Sequence, residues 1–464
     1  MIDFILDKVF AKRKHKINEI IKDLSRILEL EGKSIQKIQT KTQLPDKYLE
    51  PFKPEIKQVL IELFATLSEN DFKDHILLKK YFLNKKSKPQ KKALFGDLFS
   101  GAGGIGLGLE NAGFYPSFIA DENYSALLTY YINREIPLEN YFLGDIKDIQ
   151  TSKSGYINRL KDTFLITGGP PCQGFSNANR QRLINDSRNE LYKDFLHILE
   201  EIQPPFFLIE NVRGMAKRKE EIQEDMTRIL GKKYQYCFLF LNSRNYNIPQ
   251  NRERFFIIGN RIGANPEDIA YSIKSQGKGT RFLLKDALEG LPKIRPSNKF
   301  NQASFESEDI GFKIVKTKIQ ETEFSSYINN GRKQEFIFNH KSRFNNLNDQ
   351  EIFRRLPSGG NSLHESIQDI LKYKNRSTIF KDKYFRLEPH KVCKAITSHM
   401  RFDCHMYIHP KQARGLSPRE AARVQTFPDD YLFMGRPNEW YQQIGNAVPV
   451  KLAEILGKEI MKYY

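Results

Sequence analysis

Cys172 stands in the run Gly168-Gly169-Pro170-Pro171-Cys172-Gln173-Gly174-Phe175-Ser176. Two glycines and two prolines fix the path of the chain just before it. A single cysteine at the tip of such a loop, among polar neighbours, is placed to act as a thiolate nucleophile. The plain alternative is a half-buried structural cysteine after an ordinary turn. A second candidate is Ser100-Gly101-Ala102-Gly103-Gly104-Ile105-Gly106. There the backbone can approach a ligand closely and offer the free N–H groups of a helix start. NAD, FAD, a phosphate or a methyl donor could each sit on such a turn. Asp121 and Asp145 follow, carboxylates that suit a ribose hydroxyl and an adenine amino group. Either could instead be a helix N-cap.

These residues need a scaffold that brings them to one edge, and the surrounding pattern supplies it. Leu94–Phe99, Phe118–Asp121, Tyr141–Asp145, Thr163–Thr167 and Pro205–Glu210 read as strands, each ending where a candidate residue or loop begins. Helix-length connections, including 123–133, separate them, which predicts a parallel sheet with right-handed crossovers. Phe238–Leu241 and Arg254–Gly259 read as a closing antiparallel pair. After Asn260 the sequence turns polar and aperiodic. A helical pattern returns from Arg414, and Gln443–Lys458 is expected to be one terminal helix entered through Gly445-Asn446-Ala447-Val448-Pro449.

Taken in order, these motifs resemble those of the DNA (cytosine-5) methyltransferases of prokaryotic restriction-modification systems. Asp97-Leu98-Phe99-Ser100-Gly101-Ala102-Gly103-Gly104 is similar to the family's first motif. Pro170–Ser176 resembles its catalytic loop, and Glu210-Asn211-Val212 its second catalytic motif. Gln250-Asn251-Arg252-Glu253-Arg254 resembles its Gln-x-Arg-x-Arg element. Arg414–Arg423 is similar to the helix that organises its target domain, and Gln443–Val448 to its closing cofactor motif. Asp121 stands where the family usually has Glu, and Glu122 where an aromatic often stacks on adenine.

The resemblance implies an α/β fold: a Rossmann-like, mostly parallel sheet typical of S-adenosylmethionine-dependent methyltransferases. To it are added a smaller mixed target-recognition domain and a helical N-terminal extension. The expected division is 1–92 for the extension and linker, 93–260 for the catalytic domain, 261–413 for target recognition, and 414–464 returning to the catalytic domain. The implied chemistry begins with a flipped cytosine. Cys172 attacks its C6, Glu210 holds and protonates the N3/N4 edge, and the methyl group of S-adenosylmethionine goes to C5. Arg252 and Arg254 are candidates for the cytosine O2 and the adjacent backbone, Arg254 being the O2 contact by family match. The implied cofactor residues are Phe99, Ser100, Gly101, Ala102, Gly103, Gly104, Asp121, Glu122, Asp145, Ile146, Pro171, Leu191, Asn446, Ala447 and Val448. Gln173, Ser176, Gln250 and Arg414 are the implied contacts to DNA or the target base.

Composition narrows the field independently. The net charge of +18 is uneven: 1–90 holds 19 Lys/Arg against 13 Asp/Glu, and 261–413 holds 27 against 17. The remainder is nearly balanced. A neutral core with two basic flanks fits a phosphate-binding surface added to a catalytic scaffold. The resemblance implies double-stranded DNA as the partner and a cognate restriction endonuclease, and a monomeric state is expected. Four cysteines without a CxxC pair suit a reducing cytoplasm, and no apolar run suggests a membrane span. Cys393, His399, Cys404, His405 and His409 fit no common zinc spacing, and no metal is expected. Residues 34–49 have helix-turn-helix spacing. This leaves two alternatives: a transfer-RNA methyltransferase of the same fold, though its Cys-Phe-Thr signature is missing, and a DNA-binding regulator acting through residues 1–90.

Overall fold

Seven strands form one sheet in the order β3-β2-β1-β4-β5-β8-β6. They are β1 (Leu94–Leu98), β2 (Tyr115–Asp121), β3 (Tyr141–Leu143), β4 (Leu165–Gly168), β5 (Phe206–Val212), β6 (Gln235–Asn242) and β8 (Glu253–Asn260). The first five run parallel, whereas β8 is antiparallel to both β5 and β6. In this computed structural model the residues described are 93–134, 136, 140–151, 155–171, 191–300, 305–316, 320–334, 336–372 and 383–464. The helix-turn-helix-like stretch and the rest of 1–92 lie outside them, as do Cys172, Gln173 and Ser176.

The strands are apolar at nearly every position because both sheet faces are covered, as parallel sheets require. Phe206 and Leu208 face one core with Phe95, Leu165, Phe256 and Ile258. Phe207 and Ile209 face the other with Leu98, Ile166 and Phe255. Helices α1 (Gly104–Asn111) and α8 (Val450–Met461) cover the first face, and α5 (Pro266–Ser275) joins them through Ile269, Ala270 and Ile273. Helices α3 (Leu191–Ile202) and α4 (Lys219–Leu230) cover the second. The sheet's own core therefore continues past Asn260 into α5. The polar texture there belongs to the exposed face of an amphipathic helix.

The expected 123–133 helix forms as α2 (Tyr124–Ile132), with the Asn123 side chain accepting from Ala126 N at its N-cap. The expected single terminal helix is instead two, α7 (Pro437–Asn446) and α8. Ala447 and Pro449 are extended, with ψ 149 and 128. A proline that lacks an N–H and crowds the residue before it explains the break.

Residues 276–413 contribute short pieces. They include the antiparallel pair β9 (Gly311–Lys316) with β10 (Phe336–Lys341), helix Leu347–Arg355, and β11 (Cys393–Lys394) beside β7 (Gln250–Asn251). Phe282, Leu284, Phe324 and Leu387 share a core with Ala421, Phe427, Tyr441 and Ile444 of the C-terminal part.

Candidate active site and its relatives

Register decides where the candidate residues meet. Leu98 lies level with both Ala120 and Gly168, Asp121 with Leu143, and Gly168 with Ile209. The loop after β1, the acids after β2 and β3, the Gly169–Pro171 run and Glu210 therefore emerge from one sheet edge. That is the carboxyl edge, where open α/β sheets bind ligands.

The glycine turn is tightly built. Phe99, Gly101 and Gly103 have φ of 57, 52 and 79, and for a bulky Phe this is a strained conformation. Asp121 Oδ2 accepts from Gly101 N at 2.7 Å, and its Oδ1 accepts from Asn123 N at 2.7 Å. Burial pushes the Asp121 carboxyl up to about 6 against those two hydrogen bonds. Gly104 cannot be replaced: a methyl group there would come within 2.6 Å of Val448 O and 3.0 Å of Ala447 Cβ. The closing motif thus lies directly on the turn. Ser100 Oγ is buried beside it without a hydrogen-bond partner, and a side chain at Gly101 would meet only open space. Ala102 is buried, Asn446 is exposed, and Glu122 is exposed next to Asp121. Asp145 is exposed at the end of β3, its Oδ1 accepting from Lys147 N, while Ile146 is buried. Phe99 and Leu191 each pack against the core on the α3 face, and Pro171 is half-buried.

The second cluster sits at the end of β5. Glu210 Oε1 pairs with Arg254 Nε at 2.8 Å, the side chains only 12% and 15% exposed. A methyl group on Gly169 would come within 3.1 Å of Glu210 Oε2, so the second carboxylate oxygen faces the start of the Cys172 loop. Asn211 is a residue that sequence reasoning quoted without assigning a role. Its Nδ2 donates to Pro170 O at 2.9 Å and ties that loop to β5. Burial pushes the Arg254 guanidinium below its usual value, opposed by the Glu210 charge.

Three expectations need correcting. Arg252 was a candidate for the base or the adjacent backbone, yet it is fully buried. Its Nη1 donates to Ile396 O, and its Nη2 to Gly445 O at 3.0 Å and Ala447 O at 2.8 Å. It fastens the segment before β8 to the closing motif. Gln250, expected at the target base, is also fully buried, bonded to Gln425 Oε1, Val424 O and Ile396 N. Arg414, expected at DNA, forms a buried two-pronged pair with Glu420 at 2.7 and 2.6 Å, and further bonds Ile294 O and Gly415 O. In each case the side chain is bonded inside the fold, out of reach of a duplex, with Arg252 Nε left buried without a hydrogen-bond partner. The Cys/His group is likewise dispersed. Cys404 Sγ is reached by Arg343, His405 lies 3.5 Å from Asp349, and His409 lies 3.6 Å from Glu420.

Arg134 and Tyr431 have no signal in the sequence, and Asp97 carries one only as part of the first motif, without a role. They lie beneath the glycine turn, where burial pushes the Asp97 carboxyl up to about 7. Arg134 and Tyr431 are brought together from 297 residues apart, so no local pattern could have flagged them.

Known proteins resemble this chain over most of its length. The sequence profile of the C-5 cytosine-specific DNA methylases matches residues 94–462. The type II methyltransferase M.FnuDI of Fusobacterium nucleatum is 32% identical over 370 residues, spanning 78% of this chain and 92% of the relative. M.DdeI of Desulfomicrobium norvegicum is 29% identical over 392 residues, spanning 79% and 88%. Among solved structures, a prophage-encoded Escherichia coli protein described as a DNA modification methyltransferase superposes with a TM-score of 0.60 at 26% identity, covering 80% of this chain and 99% of its own. The profile match runs from the first strand of the sheet to the end of the last helix, and the chain belongs to the C-5 cytosine-specific DNA methylases, enzymes that methylate cytosine in DNA at particular sequences.

Proposed function

We propose that this enzyme methylates cytosine through a covalent adduct on Cys172, with Glu210 as the acid that activates the ring. The observation that carries this reading is the Glu210–Arg254 pair, with its second carboxylate oxygen turned toward Gly169 at the start of the cysteine loop. Cytosine C5 is a poor nucleophile until a thiolate adds at C6. As the Cys172 sulfur–C6 bond forms, Glu210 gives a proton to N3 and holds the N4 amino group. Arg254 keeps Glu210 aimed and is the group nearest to it that could reach the cytosine O2. Once C5 carries its methyl group, a base removes the C5 proton, the pair of electrons expels the Cys172 thiolate, and N3 returns its proton to Glu210. The target cytosine must leave the helix for any of this to occur.

The buried, partnerless Ser100 Oγ, the open side of Gly101 and the exposed Asp145 and Asn446 fit an adenosyl cofactor at the glycine turn. Phe99, Asp121 and Val448 would shape its pocket. Bound there, S-adenosylmethionine supplies the methyl group. Residues 261–413, with their net positive charge, would choose the site on DNA. Because the curated relatives are type II methyltransferases, a restriction endonuclease of the same specificity is the expected counterpart.

A duplex carrying 5-fluorocytosine tests the adduct, because fluorine at C5 cannot leave as a proton. Incubated with enzyme and S-adenosylmethionine, it should trap the wild-type protein as a species stable to denaturation. Cys172→Ser should give none. A trapped adduct on Cys172→Ser would refute the assignment.

A further inference from the structure

Arg134 and Tyr431 take no part in the chemistry above, yet both end on the glycine turn. The Tyr431 hydroxyl donates to Ala102 O and accepts from Arg134 Nη1 at 2.7 Å. Arg134 Nη2 donates to Gly103 O at 3.0 Å, and its Nε pairs with Glu110 in α1. The guanidinium also lies over the Tyr130 ring, 3.8 Å from its centre. Both side chains are buried.

We propose that Arg134 and Tyr431 are a positioning pair for S-adenosylmethionine, holding two successive carbonyls of the turn inward so that the turn keeps its shape and Gly104 N–H faces the ligand. The inference rests on reading residues 99–104 as the cofactor loop. A trans peptide points its carbonyl and its N–H in opposite directions. Gly103 O is fixed by Arg134 and by Leu107 N at 2.9 Å, which sets the direction of Gly104 N–H at the head of α1. Gly103 N–H is already turned onto Ser100 O at 2.9 Å. The first N–H groups of a helix have no acceptor within it, so their direction decides what they can bind.

The mount of Tyr431 is rigid. Asn133 brackets Leu432 with bonds of 2.8 and 2.9 Å, Asn339 brackets Phe433 at 2.9 Å in both directions, and Arg419 reaches Pro428 O at 2.8 Å. Arginine suits the place because one planar fork serves Glu110, Tyr431 and Gly103 together, which a lysine cannot reproduce.

Calorimetric titration of the full chain with S-adenosylmethionine tests the pair. In Tyr431→Phe and in Arg134→Lys the Kd should rise roughly tenfold, the loss of about one buried hydrogen bond. Turnover at saturating S-adenosylmethionine should stay within about threefold, and affinity for duplex should not change. Asn339→Ala disturbs the mount without touching the turn, so it should lower Tm and leave that Kd within about twofold. A folded Tyr431→Phe with unaltered Kd overturns the proposal. So does an Asn339→Ala that weakens binding equally, which would mark general loosening. If Tyr431→Phe does not fold, Arg134→Lys decides by the same criteria. A wild-type chain that binds no S-adenosylmethionine refutes the cofactor reading itself, and the pair's role with it.

Discussion

Two charged regions of this molecule look alike in sequence and differ in kind. At the end of β5, Glu210 Oε1 pairs with Arg254, and the other carboxylate oxygen faces Gly169. Around α6 (Pro418–Val424), Arg414, Arg419 and Arg423 are fully buried with every nitrogen engaged. Arg414 pairs with Glu420, and Arg423 with Asp429. A charge with spare capacity at an edge can move a proton or hold a base. A charge whose partners are all inside the protein can only hold the frame, because exposing it to a substrate would first break those bonds. Removing a residue from the first region should therefore cost rate, and from the second, stability.

The largest effect expected is that of Cys172→Ser, which should lower methyl incorporation by at least a thousandfold while cofactor and duplex still bind. Turnover within tenfold of the wild type would remove the cysteine from the mechanism. Glu210→Gln should reduce kcat by roughly 10²–10⁴ with little change in Tm. An effect confined to KM would move Glu210 into the framework class.

Glu420→Gln should do the reverse. It leaves Arg414 buried without its full countercharge, and denaturant unfolding should show a loss of about 3–5 kcal/mol. Folded protein should keep its kcat; a large kcat loss at unchanged stability would break the comparison. Arg252→Lys and Arg254→Lys sharpen it within one motif. The first should lower stability by about 1–3 kcal/mol through unsatisfied carbonyls, whereas the second should chiefly lower kcat.

The smallest effect is a pH dependence. Burial beside Arg414 holds His340 and His409 down to about 4, from the ordinary 6.5. The unfolded chain therefore binds more protons than the folded one between those values. Stability contributed by the neutral rings is complete above about pH 6.5 and is lost as pH falls toward 4. A Tm that falls less across pH 6.5–4 in His340→Asn and in His409→Gln than in the wild type would bear this out. An equal fall in all three would assign it to other groups.

Much of the site was legible because its signals are local. Strand and loop alternate where glycines and prolines follow β-branched or aromatic runs. A parallel sheet then forces those loops to one edge, so the glycine turn, Asp121, Asp145 and Glu210 could be placed together without coordinates. The break at Ala447–Pro449 was also in the sequence, as the proline itself. The fate of α5 was harder to read, since its polar residues describe the solvent side and only three apolar positions describe the core it joins.

The sequence by itself determined the fold class and the sheet edge at which the glycine turn, Asp121, Asp145 and Glu210 emerge, since each follows from neighbours in the chain. Only the tertiary structure decided which arginines are free. Arg252 and Arg254 stand two residues apart in one motif, but Arg252 meets carbonyls from residues 144, 193 and 195 positions away, while Arg254 meets Glu210 on the adjacent strand. The Arg134–Tyr431 pair under the glycine turn was hidden for the same reason. A guanidinium is a donor wherever it lies, and what it donates to depends on distant chain segments converging through hydrophobic burial, which no local spacing records.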